Sequence, residues 1–185
     1  ALYRVHDGPP PERLEKLRAF LGELGLSLHK GKDPSPKDYQ ALLASIAGRP
    51  DFHLIQTVML RSLSQAVYST ENNGHFGLNY EAYTHFTSPI RRYPDLLVHR
   101  AIRSIIRSKV DTPHVKRAGA MSIPKARIYP YDENTLEQLG EQCSMTERRA
   151  DEATRDVVNW LKCEFMKDRV GETFPGVITA VTGFG

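Results

Sequence analysis

The chain has 185 residues, 40% of them hydrophobic and 25% charged, with a net charge of +3. That is enough chain for one medium domain, or one and part of another, with a sizeable core, and the mild positive charge permits an anionic partner without requiring one. Two widely separated cysteines, Cys143 and Cys163, exclude a disulfide framework and read as reduced, buried small hydrophobes, and no apolar run approaches the roughly 20 residues that span a bilayer.

Ala1 to Asp7 alternates apolar and polar residues, which predicts a short strand pairing with something upstream and ended by Gly8 and three prolines. From Pro11, Leu14, Leu17, Phe20, Leu21 and Leu24 recur at helical spacing until Gly25 supplies a stop. Ser35-Pro-Lys-Asp38 matches a capping box and opens a second helix, buried through Tyr39, Leu42, Leu43 and Ile46 and closed by Gly48. A third helix is predicted from Asp51 to about Tyr68 on the stripe Leu54, Ile55, Val58, Met59, Leu63 and Val67. Glu71-Asn-Asn-Gly74 is turn chemistry, and His75 to Tyr80 suits a strand.

The stretch Thr84 to Arg100 is the chemical centre of the sequence. It gathers His85, Arg91, Arg92, His99 and Arg100 around a predicted helix start at Ser88-Pro89. Two arginines in a first helical turn conflict with the positive end of the macrodipole, and the conflict disappears if a phosphate sits against hydroxyls and guanidiniums there. The other reading is i,i+4 pairing of Arg91 with Asp95 and of Asp95 with His99 on a solvated face. Pro94 should kink or restart the helix, which Leu97, Ile102, Ile105 and Ile106 carry to about Ser108.

Residues 109 to about 130 hold no clear period and read as a basic, solvated loop. Asp132 can cap a short helix bearing Leu136 and Leu139. Ser144-Met-Thr-Glu147 matches another capping box, opening a long helix with Ala150, Ala153, Val157, Val158, Trp160, Leu161 and Phe165 on one face and self-pairing charges on the other, Trp160 being a core anchor. Past Asp168, strand residues and turn glycines suggest the first hairpin of a separate β-domain, with a boundary near Lys167 to Arg169. A chain that lacks an initiator methionine and stops at Thr-Gly-Phe-Gly is expected to be a fragment.

His85-Phe-Thr-Ser-Pro-Ile-Arg-Arg-Tyr-Pro-Asp-Leu-Leu-Val-His-Arg100 resembles the signature near the end of the catalytic (RNB) domain in the ribonuclease II and ribonuclease R family of processive 3′-to-5′ exoribonucleases. Gly74-His-Phe-Gly-Leu78, Cys143-Ser-Met-Thr-Glu-Arg-Arg-Ala-Asp-Glu-Ala153 and Asp156-Val-Val-Asn-Trp-Leu-Lys-Cys163 extend the likeness toward the bacterial ribonuclease R branch. Gly171 to Gly185 is similar to the opening of the OB-fold RNA-binding domain that follows in that family. The fold so implied is α/β (α+β): a mainly helical part of the RNB domain over residues 1–168, then the first strands of an OB-fold β-barrel over residues 169–185.

The resemblance also implies a reaction, hydrolysis of single-stranded or 3′-tailed structured RNA to nucleoside 5′-monophosphates, with two magnesium ions held by an aspartate cluster. By motif position, Arg91 is the arginine that clamps the phosphate under attack. Thr87, Ser88 and Arg92 would position the RNA backbone, as would Arg100 if it faces the channel. Tyr93 either stacks on a base or packs in the core, and the same two roles are open to Phe184. His85 and His99 are either RNA contacts or structural histidines. No run of acids here matches the aspartate cluster, and Asp95, Asp151 and Glu152 are not taken as ligands. The ions are therefore expected on an upstream half, and this piece alone, supplying the arginine clamp and part of the RNA channel, is expected to be inactive. Its expected partners are single-stranded RNA and the rest of a monomeric, cytoplasmic parent, with no membrane. Two other readings are a non-catalytic RNA-binding module, which would bind in a salt-sensitive way without turnover, and a helical interaction scaffold.

Overall fold

A computed structural model describes residues 1–28, 31, 33–108 and 121–176. The chain falls into two compact units, Ala1–Ser144 and Met145–Gly185.

In the first unit, β1 (Tyr3–Val5) is followed by α1 (Pro11–Glu23), α2 (Pro36–Ser45) and α3 (Phe52–Ser62). The leucine spacing predicted α1 because Leu14, Leu17 and Leu21 lie on one face, and all three are buried. They meet Leu28, Tyr39, Leu42, Ile46, Ile55 and Met59 in one apolar cluster, each such side chain contributing roughly 1.5–3 kcal/mol of transfer free energy. The capping box at α2 forms as expected, with Asp38 Oδ2 accepting the Ser35 backbone N–H at 2.7 Å and the Ser35 hydroxyl at 2.6 Å.

Three predicted elements differ. The third helix stops at Ser62, and Leu63 turns extended. Val67–Ser69 is instead strand β2, antiparallel to β1 with Tyr3 opposite Ser69, Arg4 opposite Tyr68 and Val5 opposite Val67. Pairing with β1 outweighs the helical periodicity there, and β1 finds its partner downstream in the chain. Residues Phe76–Leu78 form a single 3-10 turn where a strand was expected. Gly74 allows this with its positive φ of 74°, and His75 and Tyr80 close the loop through paired backbone bonds of 2.8 and 3.3 Å.

The expected short helix at Asp132 and the long one opening at Ser144 are one helix, α6 (Glu133–Met166). Ser144 does not cap anything. Its hydroxyl donates to the Gly140 carbonyl at 2.8 Å and accepts the Tyr68 N–H at 2.9 Å, which removes the need for a new helix start. Leu2, Tyr68, Leu97 and Tyr129 form a second core with Leu136, Leu139 and Cys143 packed against it. Gly140 permits the close approach, since a Cβ there would lie 2.8 Å from the Tyr68 carbonyl oxygen. The mainly helical character is as expected, with the two-stranded sheet its small β component.

In the second unit, the expected core face is open to solvent. Trp160 is 64% exposed, and Val157, Leu161 and Phe165 are similarly uncovered. Cys163, expected to be buried, is exposed as well, while Cys143 is half-buried; neither is in a disulfide. The described part of this unit is one helical stretch and the 3-10 turn Lys167–Arg169, and these described residues offer no second layer to bury an apolar face. Residues 170–176 form no strand, and the rest of the predicted hairpin, with Phe184, lies outside the described residues. Among the described residues no helix is long and apolar enough to cross a membrane.

Candidate functional site

The helix bearing the arginine-rich stretch, α4, spans Tyr93–Ile106 and starts four residues later than Ser88-Pro89 predicts. Pro94 explains the shift. At the second helical position its missing N–H costs nothing, whereas inside a helix begun at Pro89 it would remove a ladder bond and clash with the preceding turn. Pro94 therefore marks the start of α4 rather than a kink within it. Residues Ser88 to Arg92 form a tight turn ahead of it, in which the Ser88 carbonyl accepts the N–H groups of Arg91 at 3.2 Å and Arg92 at 2.9 Å.

Asp95 holds this turn. It is fully buried at the third position of α4, and its Oδ1 accepts the Ser88 N–H at 2.7 Å and Arg92 Nη2 at 2.9 Å. The i,i+4 alternative would put Asp95 on the surface as a partner of Arg91, and its burial excludes that. The i,i+3 spacing from Arg92, with an acid in the first helical turn, was the signal that could have found its real place.

The consequences for the predicted site residues are specific. Arg92 is committed to Asp95, and its side chain keeps 22% of its exposure. Arg91 points the other way in chemical terms: it is exposed, and among the described residues its guanidinium has no hydrogen bond or ion pair. Ile90 beside it is fully exposed, Thr87 is exposed, and Ser88 is half-buried. The i,i+4 surface pairing of Arg91, Asp95 and His99 does not form. His99 donates from Nε2 to the Phe86 carbonyl at 2.9 Å and stacks on the Phe86 ring at 4.3 Å.

Other candidates are engaged elsewhere. Tyr93 shares a 2.9 Å hydroxyl bond with Tyr131, which together with partial burial raises its phenol above the usual range, and the residue as a whole is 38% exposed. Arg100 donates from Nε to the Ile128 carbonyl at 2.6 Å and lies over the Tyr131 ring at 5.3 Å, which ties it to α5 (Lys125–Ile128). His85 Nδ1 is 2.9 Å from the Tyr68 hydroxyl. The turn thus brings Thr87, Ser88, Arg91 and Arg92 together, with Tyr93 next in the chain, while Arg100 joins a different contact set. An unpaired guanidinium fork on a turn fixed from beneath suits a planar or tetrahedral oxyanion. Among the described residues no three His, Cys, Asp or Glu side chains gather as a metal site would require.

The chain matches the RNB domain family over residues 1–108. Ribonuclease R of Escherichia coli strain K12 is 52% identical over 186 residues, taking in 100% of this chain and 22% of that protein. Among solved structures, the apo form of Mycoplasma genitalium RNase R is similar with a TM-score of 0.83 and 28% identity, over 100% of this chain and 27% of that one. The same organism's RNase R in complex with ribose-methylated single-stranded RNA gives a TM-score of 0.78 and 27% identity, over the same shares of the two chains. The chain spans about a fifth of the length of the curated relatives it matches.

Proposed function

The chain belongs to the RNB domain family, and from that premise we propose that it is the C-terminal part of the catalytic domain of a processive 3′-to-5′ exoribonuclease, followed by the start of an OB-fold. The parent hydrolyses single-stranded or 3′-tailed structured RNA to nucleoside 5′-monophosphates. It works as a cytoplasmic monomer.

In that reaction a water oxygen bonds to the scissile phosphorus as the bond to the 3′ oxygen of the preceding nucleotide breaks. Charge grows on the non-bridging oxygens, and a positioned guanidinium binds them more strongly in the transition state than before it. Arg91 takes this role. The observation that carries the reading is its exposed guanidinium, without a partner among the described residues, on a turn where Arg92 is already neutralised by Asp95. The Thr87 and Ser88 hydroxyls border the same turn and guide the backbone, and the exposed part of the Tyr93 ring is available to a base. Arg92 and Arg100 act chiefly by holding the scaffold, since both guanidiniums have protein partners.

Magnesium is the cofactor this reading implies, and the described residues do not make a site for it. This chain's contribution is the grip on phosphate, with the metal ligands supplied by the rest of the parent, so the isolated chain is expected to show no turnover. The reading is tested by incubating the full-length parent with a 3′-tailed RNA, with and without magnesium. Metal-dependent release of mononucleotides supports it. RNA binding that weakens steeply with salt, without any turnover, would replace it by a non-catalytic binding module.

A further inference from the structure

Asp95 is the most deeply buried charged side chain at the site, and none of the functional roles above uses it directly. Its Oδ1 takes two donors, the Ser88 N–H and Arg92 Nη2, which lie at opposite ends of the turn that presents Arg91. Its Oδ2 and the Arg92 Nε are also buried, and neither has a hydrogen-bond partner among the described residues. The bonding of this carboxylate is therefore spent wholly on the turn. An acid that merely complements the helix dipole would face solvent in the first turn and need no such contacts.

We propose that Asp95 is the positioning residue of this site. It clamps Ser88 to Arg92 from beneath, and so fixes the direction in which Arg91 leaves the backbone. Neutralising Arg92 has a second effect: it prevents a second free guanidinium from competing with Arg91 for the same phosphate oxygens. Misplacement of a catalytic group by about 1 Å can cost on the order of a hundredfold in rate, so a loosened turn should lower turnover while leaving RNA bound along the rest of its path. The inference rests on the Arg91 reading above, and it adds to it the residue that makes the arginine's placement precise.

The test uses the full-length parent carrying Asp95→Asn, Arg91→Ala or both. Asn is nearly isosteric and can still accept the Ser88 N–H, but it cannot balance the Arg92 charge. We expect Asp95→Asn to slow single-turnover cleavage by about tenfold or more with RNA affinity changed little, and the double variant to be no slower than Arg91→Ala alone. A wild-type cleavage rate in Asp95→Asn overturns the proposal. So do losses that multiply in the double variant, because they would mean that Asp95 acts independently of Arg91. If Arg91→Ala itself cleaves normally, the clamp reading fails separately. Amide exchange at Ser88 then decides for Asp95: faster exchange in Asp95→Ala, which removes the acceptor of the Ser88 N–H, supports its hold on the turn, and unchanged exchange overturns it.

Discussion

Replacing Ser144 by Ala removes one hydroxyl from the joint between the sheet and α6. In an antiparallel pair, a residue in a non-hydrogen-bonded position turns its N–H away from its partner strand. Arg4 and Tyr68 sit opposite each other in this way. The Arg4 N–H bonds outward to the Tyr83 carbonyl at 2.8 Å, and the Tyr68 N–H bonds outward to Ser144 Oγ at 2.9 Å. Both Tyr68 and Ser144 are buried, so Ala would leave an orphan amide that water reaches poorly. Such a loss costs about 1–3 kcal/mol, or roughly a 5- to 160-fold change in a local opening equilibrium. Hydrogen exchange in the full-length parent, read at the Tyr68 amide, should accelerate by that factor in Ser144→Ala, with little change at α1. Exchange at Tyr68 unchanged within about twofold would refute the reasoning, because it would show that the amide finds another acceptor.

Gly140→Ala should be destabilising although Ala is the better helix former by about 1 kcal/mol, because the new Cβ would sit 2.8 Å from the Tyr68 carbonyl oxygen and 3.3 Å from Leu2 Cδ2. A net loss of about 1–3 kcal/mol is expected, seen as a lower melting temperature, and a higher one would contradict the packing. His75 gives a pH prediction. Burial first, and then the neighbouring His6 and Arg4, hold its imidazole below the usual range. The fold favours its neutral form, so the stability it contributes is complete above about pH 6.5 and declines as pH falls from there toward the depressed folded value. Melting temperatures from pH 7.5 down to 5 should fall more steeply for the wild type than for His75→Gln, and parallel curves would count against it.

The parts of the fold legible in the sequence are those set by local chemistry. The leucines of α1 and the Ser35–Asp38 box of α2 act within a few residues of one another, and both elements form as the spacing implies. Val67 and Tyr68 continue a helical period yet form a strand, because their partner, β1, lies more than sixty residues earlier, beyond the reach of any periodicity. Ser144 followed by Glu147 has the letters of a capping box, but its hydroxyl is already engaged by Tyr68, which only the tertiary fold reveals. At the candidate site, the residue types pointed to an anion-binding turn, but two prolines offered competing helix starts. Asp95, buried at the third position of α4, goes with the later one. Trp160 and its neighbours show the reverse limit: the amphipathic pattern is plain, but a pattern says which face is apolar and not whether this unit contains anything to cover it.

Arg91 carries the proposed grip on phosphate most directly. Single-turnover degradation of a 3′-tailed RNA by the full-length parent, with magnesium, should be slowed by about a hundredfold or more in Arg91→Ala, with RNA affinity changed little, which would locate the guanidinium's contribution in the transition state. Cleavage at the wild-type rate, or a loss confined to affinity, would contradict that role and reduce Arg91 to an ordinary surface cation.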